Sequence, residues 1–215
     1  MTITLSPGTG GEADTALPGR VLILACGALA KELSLLARIN RLEHVTIEYL
    51  PGSLHNRPEQ IPMAIEARLD ESAGRYETVL LGYADCGTGG RIDEICRRRN
   101  IGRLPGPHCY AFYAGQDNFH SMHNEELGTL HLTDYLARHF DRLIWSVLGL
   151  DRHPELRDAY FGNYTRAVHL AQVDDPTIRS RAEAAALRLG LAFEYRFTGL
   201  GVLGSVLVEL RSRPR

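Results

Sequence analysis

Val21-Leu-Ile-Leu-Ala-Cys26-Gly27 and Thr78-Val-Leu-Leu-Gly-Tyr-Ala-Asp-Cys86-Gly87 are the two stretches that decide the fold. Each is a short apolar run, typical of a strand buried on both faces, and each runs into a cysteine followed at once by glycine. The first leads into residues 28–39, where Leu29, Leu33, Leu36 and Ile39 fall at helical spacing. Residues 45–50 suit a second strand and residues 59–72 a helix with Ile61, Ala64, Ile65 and Leu69 on one face. After the strand at 79–83 comes a helix over 92–99. A strand followed by a helix, repeated, predicts an α/β fold: a Rossmann-like open, mainly parallel sheet with helices on both faces.

Further along, the spacing of Leu132, Tyr135, Leu136, His139, Leu143 and Val147 predicts one long helix over 128–149. A second helical stretch follows at 154–160. Residues 167–171 return to strand. Asp175-Pro176 opens a helix that Gly190 ends, with Asp175 as cap and Pro176 in the first turn. Late strands are expected at 193–197 and 205–210. Residues 109–113 suit either a strand or a helix. Residues 1–19, rich in Gly, Thr and Pro, read as a disordered lead-in, and residues 20–215 as a single domain.

The chain has 215 residues, 44% hydrophobic and 23% charged, enough for one sizeable core. A net charge of -2 gives no footprint for nucleic acid, and Arg97-Arg98-Arg99 is a short run that suits a helix C-terminus. No apolar stretch reaches the length of a membrane span, and the first residues lack the pattern of a signal peptide. A cytoplasmic protein with four reduced cysteines is the expectation.

In an open parallel sheet the carboxyl ends of the strands border the ligand crevice. Cys26 and Cys86 therefore point to one site. Cys109 enters from Pro105-Gly-Pro-His108-Cys109 and His55 from Pro51-Gly-Ser-Leu-His55-Asn56-Arg-Pro58. Three thiols with His55 or His108 supply the soft sulfur and borderline nitrogen ligands that zinc prefers; iron or an iron–sulfur cluster is the alternative. Because adjacent side chains of an extended chain point apart, Cys109 is taken as the ligand and His108 as a group that orients substrate or a ligand. Two other readings stay open. Cys26 and Cys86 can be small apolar residues closing their strands. They can also act without metal, as opposed acid and base in a racemase- or lyase-like enzyme. Cys96, beside Ile92 and Ile95, reads as a core residue.

Thr88, Gly89 and Gly90 precede a helix and resemble an anion- or substrate-binding cradle. Gly199-Leu-Gly201-Val-Leu-Gly204 fits the dinucleotide string but has no strand–helix context in this reading. Around residues 120–134 lie His120, His123, Glu125, Glu126, His131 and Asp134; a carboxylate here is a candidate fourth ligand or base, with Glu126 preferred.

These pieces resemble the domain of unknown function 1638 family. The resemblance rests on the Cys26-Gly27 strand end with Glu32, Leu54-His55-Asn56, Gly82-Tyr-Ala-Asp-Cys86-Gly87, Pro105-Gly-Pro-His108-Cys109, Gly128-Thr-Leu-His-Leu-Thr133-Asp134 and Tyr160-Phe-Gly-Asn-Tyr164. It implies a link to corrinoid-dependent methyl metabolism, hence methyl transfer to a small-molecule substrate with a corrinoid protein as partner. No D-x-H-x-x-G corrinoid-ligating string occurs in the chain. The combined expectation is a zinc-dependent methyltransferase-like enzyme of one-carbon metabolism. A non-catalytic protein that binds a metal or cofactor and hands it on is the remaining option.

Overall fold

The computed structural model describes residues 17–125, 127–205 and 207. The elements, in order, are β1 (Leu17–Cys26), α1 (Ala30–Ile39), β2 (Val45–Leu50), α2 (Ile61–Glu71), β3 (Tyr76–Gly82), α3 (Arg91–Arg99), β4 (Gly102–Arg103), α4 (Cys109–Ala114), α5 (Gln116–Glu125), β5 (Thr129–Thr133), α6 (Asp134–Arg138), α7 (Arg157–Phe161), β6 (Arg166–Ala171), α8 (Pro176–Leu189) and β7 (Ala192–Phe197). Every strand pairing is parallel, so the architecture is α/β and Rossmann-like. Among the described residues no helix is long and apolar enough to cross a membrane.

The described residues divide into two compact units, residues 17–112 with 202–205 and 207, and the described part of 113–201. The first holds a four-stranded sheet in the order β2-β1-β3-β4. Val21 to Cys26 are buried throughout, as a strand covered on both faces requires. Leu29, Leu33 and Leu36 are buried as their spacing predicts, whereas Ile39, at the end of α1, is exposed. β1 starts at Leu17, so residues 17–19 of the expected lead-in belong to the sheet; residues 1–16 lie outside the described residues.

The second unit holds a three-stranded sheet in the order β5-β6-β7. One face of it packs on α6 and α8 through Leu132, Ala167, Ala182, Ala186 and Leu189. The long helix expected over 128–149 is not formed. Residues 129–133 are β5, Thr133 caps α6 by accepting from the amide of Leu136 at 3.3 Å, and a π-helical turn covers Asp141–Trp145. Thr129-Leu-His-Leu-Thr133 alternates with period two, and β-branched ends favour the strand over the helix. The late strand expected at 205–210 is also corrected where it is described, since residues 203–205 and 207 are helical.

Candidate functional site

β1 is central in the first sheet. The chain leaves it for β2 on one side and returns through β3 on the other. The gap between the carboxyl ends of β1 and β3 is therefore a topological switch point, where open α/β sheets seat ligands. Cys26 is the last residue of β1, and Tyr83 and Cys86 follow directly on β3. Two glycines let the strand ends come together. A Cβ on Gly82 would lie 2.5 Å from the Cβ of its register partner Ala25, and one on Gly27 would lie 2.9 Å from the carbonyl oxygen of Leu50.

Cys26 is buried, and its sulfur accepts a hydrogen bond from the amide of Ala28 at 3.3 Å. The same sulfur lies 3.7 Å from Nδ1 of His55, which is 3.2 Å from the carbonyl of Gly52. Donation from Nδ1–H to that carbonyl leaves the lone pair on Nε2, the arrangement by which a backbone carbonyl orients a metal-binding imidazole. The His55 ring stacks on Tyr83, with centroids 6.3 Å apart and planes 8° from parallel. The Tyr83 hydroxyl in turn neighbours the Cys26 sulfur.

Cys86 adopts a left-handed backbone, φ 53°. Its amide donates to the carbonyl of Pro107 at 2.7 Å, and the amide of Asp85 donates to that of Gly106 at 3.1 Å. These two bonds fasten the end of β3 to the loop that carries His108 and Cys109. Cys109 begins α4. His108 packs against the ring of Tyr110, with centroids 5.0 Å apart.

Burial pushes the Cys26 thiol up to about 11. Burial first, and then the charge of an ionised Cys26, push Cys86 up to about 12. Cys109 is raised by burial and by the charges of Cys86 and Cys26. The three thiols thus stand within electrostatic reach of one another. Cys96 is raised by its own burial, and the charges that act on it are those of Arg103 and Asp93. Burial lowers His55 below the usual imidazole range, against the opposing effect of the Gly52 carbonyl. Near neutral pH the site therefore contains protonated thiols and a neutral imidazole.

The cradle expected at Thr88, Gly89 and Gly90 is built, and the chain's own Asp85 fills it. The Asp85 carboxylate accepts from the Thr88 hydroxyl at 2.9 Å and from the amides of Gly90 at 2.8 Å and Gly89 at 3.2 Å. Burial acts to raise its pKa, but these bonds and Arg103 together hold it below the usual carboxylate range.

Glu126 lies outside the described residues. Asp134 is fully buried in the second unit, where it accepts from Nε2 of His169 at 2.9 Å and from the amide of Val173 at 3.0 Å. Tyr83 and Asp85 are the groups at the first site that residue-by-residue reading passes over. Their signal was a polar pair, Tyr83 and Asp85, interrupting a buried strand end just before Cys86.

The donor set of Cys26, Cys86, Cys109 and His55 fits a soft cation by its chemistry. Among the described residues no three His, Cys, Asp or Glu side chains stand in ligating geometry.

A Rossmann-like α/β protein with cysteines at or just past the strand ends of its switch point is the class these features define. The chain belongs to the family described as "Protein of unknown function (DUF1638)", whose model matches residues 49–207. His55, Cys86, His108 and Cys109 lie within the matched segment and Cys26 precedes it. Neither a curated protein nor a solved structure matches the chain.

Proposed function

We propose that this protein is a zinc-dependent enzyme that transfers a methyl group to a small-molecule thiol, with Cys26, Cys86, Cys109 and His55 as the metal-binding residues. The observation that carries the reading is the 3.7 Å approach of the Cys26 sulfur to His55 Nδ1 at the switch point, with Cys86 tied by its amide to the loop that leads to Cys109. Bound zinc would supply Lewis acidity, lowering the pKa of a substrate thiol that takes the place of one of these four ligands. The chain's own residues do the rest. His55, oriented by the Gly52 carbonyl, offers a neutral nitrogen. His108 orients the substrate, and the buried walls keep water from competing with the sulfur nucleophile. The substrate sulfur gives up its proton and supplies the electron pair of the new S–C bond, while the donor keeps the pair of the bond that breaks. A methyl-corrinoid is the donor class the family resemblance implies, and Glu126 is kept as a supporting carboxylate.

The metal-free alternative, with Cys26 and Cys86 as opposed acid and base, needs one of them as thiolate. A thiol at about 11 is thiolate in only ~1 molecule in 10⁴ at pH 7. A cation bound by these residues would hold them as thiolates at the cost of displacing their protons.

The test is elemental analysis of protein purified without chelator, for the wild type, Cys86→Ser and His55→Ala, with thiol alkylation in parallel. Serine is nearly isosteric, but its hydroxyl stays protonated near neutral pH. Near-stoichiometric zinc that falls in both variants is expected, together with methyl transfer from methylcobalamin to a small thiol. Full activity without metal that alkylation abolishes would favour the two-thiol reading. Unchanged metal and activity in both variants would overturn both.

A further inference from the structure

The second unit carries a feature that the thiol site does not use. In a parallel strand, residues two apart share a face, and register partners on neighbouring strands point the same way. Register places Thr129 beside Arg166, His131 beside Val168 and Glu194, and Thr133 beside Leu170 and Arg196. Six members of this row, Thr129, Arg166, His131, Glu194, Thr133 and Arg196, are polar, with Val168, Leu170 and Ala192 between them, whereas Leu130, Leu132, Ala167 and Phe193 on the opposite face form or pack on the apolar core. A covered parallel sheet is ordinarily apolar on both faces. Here Thr129, His131 and Thr133 are buried, and Phe119 of α5 packs on the ring of His131 with centroids 5.1 Å apart.

The row ends at a cavity of about 490 Å³ at the carboxyl edge of β6 and β7. That size suits a small molecule, and that edge is where open sheets bind ligands. Leu170, Arg196 and Thr198 form its sheet side, and Tyr113, Asn118 and Ser121 its helical side. Its charge comes from Arg196, which shares the carboxylate of Glu194 with Arg166. Glu194 accepts from Arg166 Nη1 at 3.0 Å through one oxygen and from Arg196 Nε through the other. Two guanidinium groups against one carboxylate leave one positive charge. With Nε held by Glu194, the two terminal amino groups of Arg196 stay available as a planar fork, which matches carboxylate and phosphate geometry.

We infer that this cavity is a second ligand site, which binds a small molecule through its carboxylate or phosphate group, with Arg196 as the anchoring cation and Asn118 and Ser121 as flanking hydrogen-bond groups. The site lies wholly within residues 113–201 and does not depend on the metal reading.

Isothermal titration of the full chain with inorganic phosphate and, separately, with succinate tests the inference. At least one is expected to bind with a Kd below about 10 mM. Which of the two binds more tightly identifies the head group. Arg196→Gln should weaken binding by about tenfold or more, and Glu194→Gln should tighten it several-fold by removing the competing carboxylate. Arg181→Gln, which alters a separate arginine-lined cavity between α6 and α8, should leave it unchanged. No binding of either anion would overturn the assignment. So would wild-type affinity in both Arg196→Gln and Glu194→Gln, or loss of binding in Arg181→Gln alone. If Arg196→Gln does not fold, the direction of the Glu194→Gln effect decides.

Discussion

Cys26 and His55 meet across 29 residues of sequence, with the sulfur 3.7 Å from Nδ1. Both are held in their neutral forms by burial. On the proposed metal reading, zinc uptake must therefore displace protons. Titrating zinc into weakly buffered protein near pH 7 should release on the order of 2–3 protons per ion, read by a pH indicator dye. Cys86→Ser should lower that number by about one. Release unaffected by this substitution would place the ion elsewhere.

Thiols raised in the folded state stay protonated in it while the unfolded chain begins to ionise near pH 9. Their contribution is fully present below pH 9 and is lost as pH rises through 11 to 12. Metal-free protein should show a falling Tm over that window. A Cys26→Ala/Cys86→Ala variant should show a flatter one, whatever its stability at pH 7. Parallel curves would mean that the two thiols are not buried as described.

Gly82 and Ala25 are register partners with no room for a second methyl group. Gly82→Ala should destabilise the chain by about 3 kcal/mol in urea unfolding. Ala25→Gly should recover part of this loss in the double variant, with a coupling of more than about 1 kcal/mol. Additive effects would show that the strands are not in close contact there.

Cys86 holds a left-handed backbone that costs an ordinary residue roughly 1–2 kcal/mol. Cys86→Ala and Cys86→Gly both lose the thiol, but only glycine escapes that cost. Glycine's greater freedom in the unfolded chain offsets part of the gain. Cys86→Gly should therefore be the more stable of the two by up to about 1 kcal/mol, and both should lose zinc. A less stable glycine variant would mean that the φ angle carries no strain.

Asp134→Ala would leave the buried His169 ring and the Val173 amide without their acceptor. A loss of about 3–5 kcal/mol is expected in chemical denaturation, with a smaller loss for Asp134→Asn. A change under about 1 kcal/mol would show that the cluster relaxes around the gap.

β1 and β3 of the first sheet were legible because they are continuous apolar runs closed by glycine, a pattern with one common structural solution, whereas the two-residue β4 (Gly102–Arg103) carries no such run. The position of Cys26 at the end of β1 and of Cys86 just past the end of β3 followed from the strand pattern alone. The second unit was harder, because β5 is five residues long and its leucines coincide with helical spacing. Thr129 and Thr133, which bracket it, were the available sign. The role of Asp85 was hidden for a different reason. A glycine-rich turn shows that amides are presented but not which carboxylate reaches them, and here the nearest one in sequence does.

The two amide bonds from Asp85 to Gly106 and from Cys86 to Pro107 make the tip of β3 a built-in reporter. Any occupant that draws Cys109 toward Cys86 would tighten this clasp, and one that pushes the loop outward would open it. Hydrogen–deuterium exchange at those two backbone positions would then register arrivals in the crevice without a label, a chromophore or knowledge of the substrate.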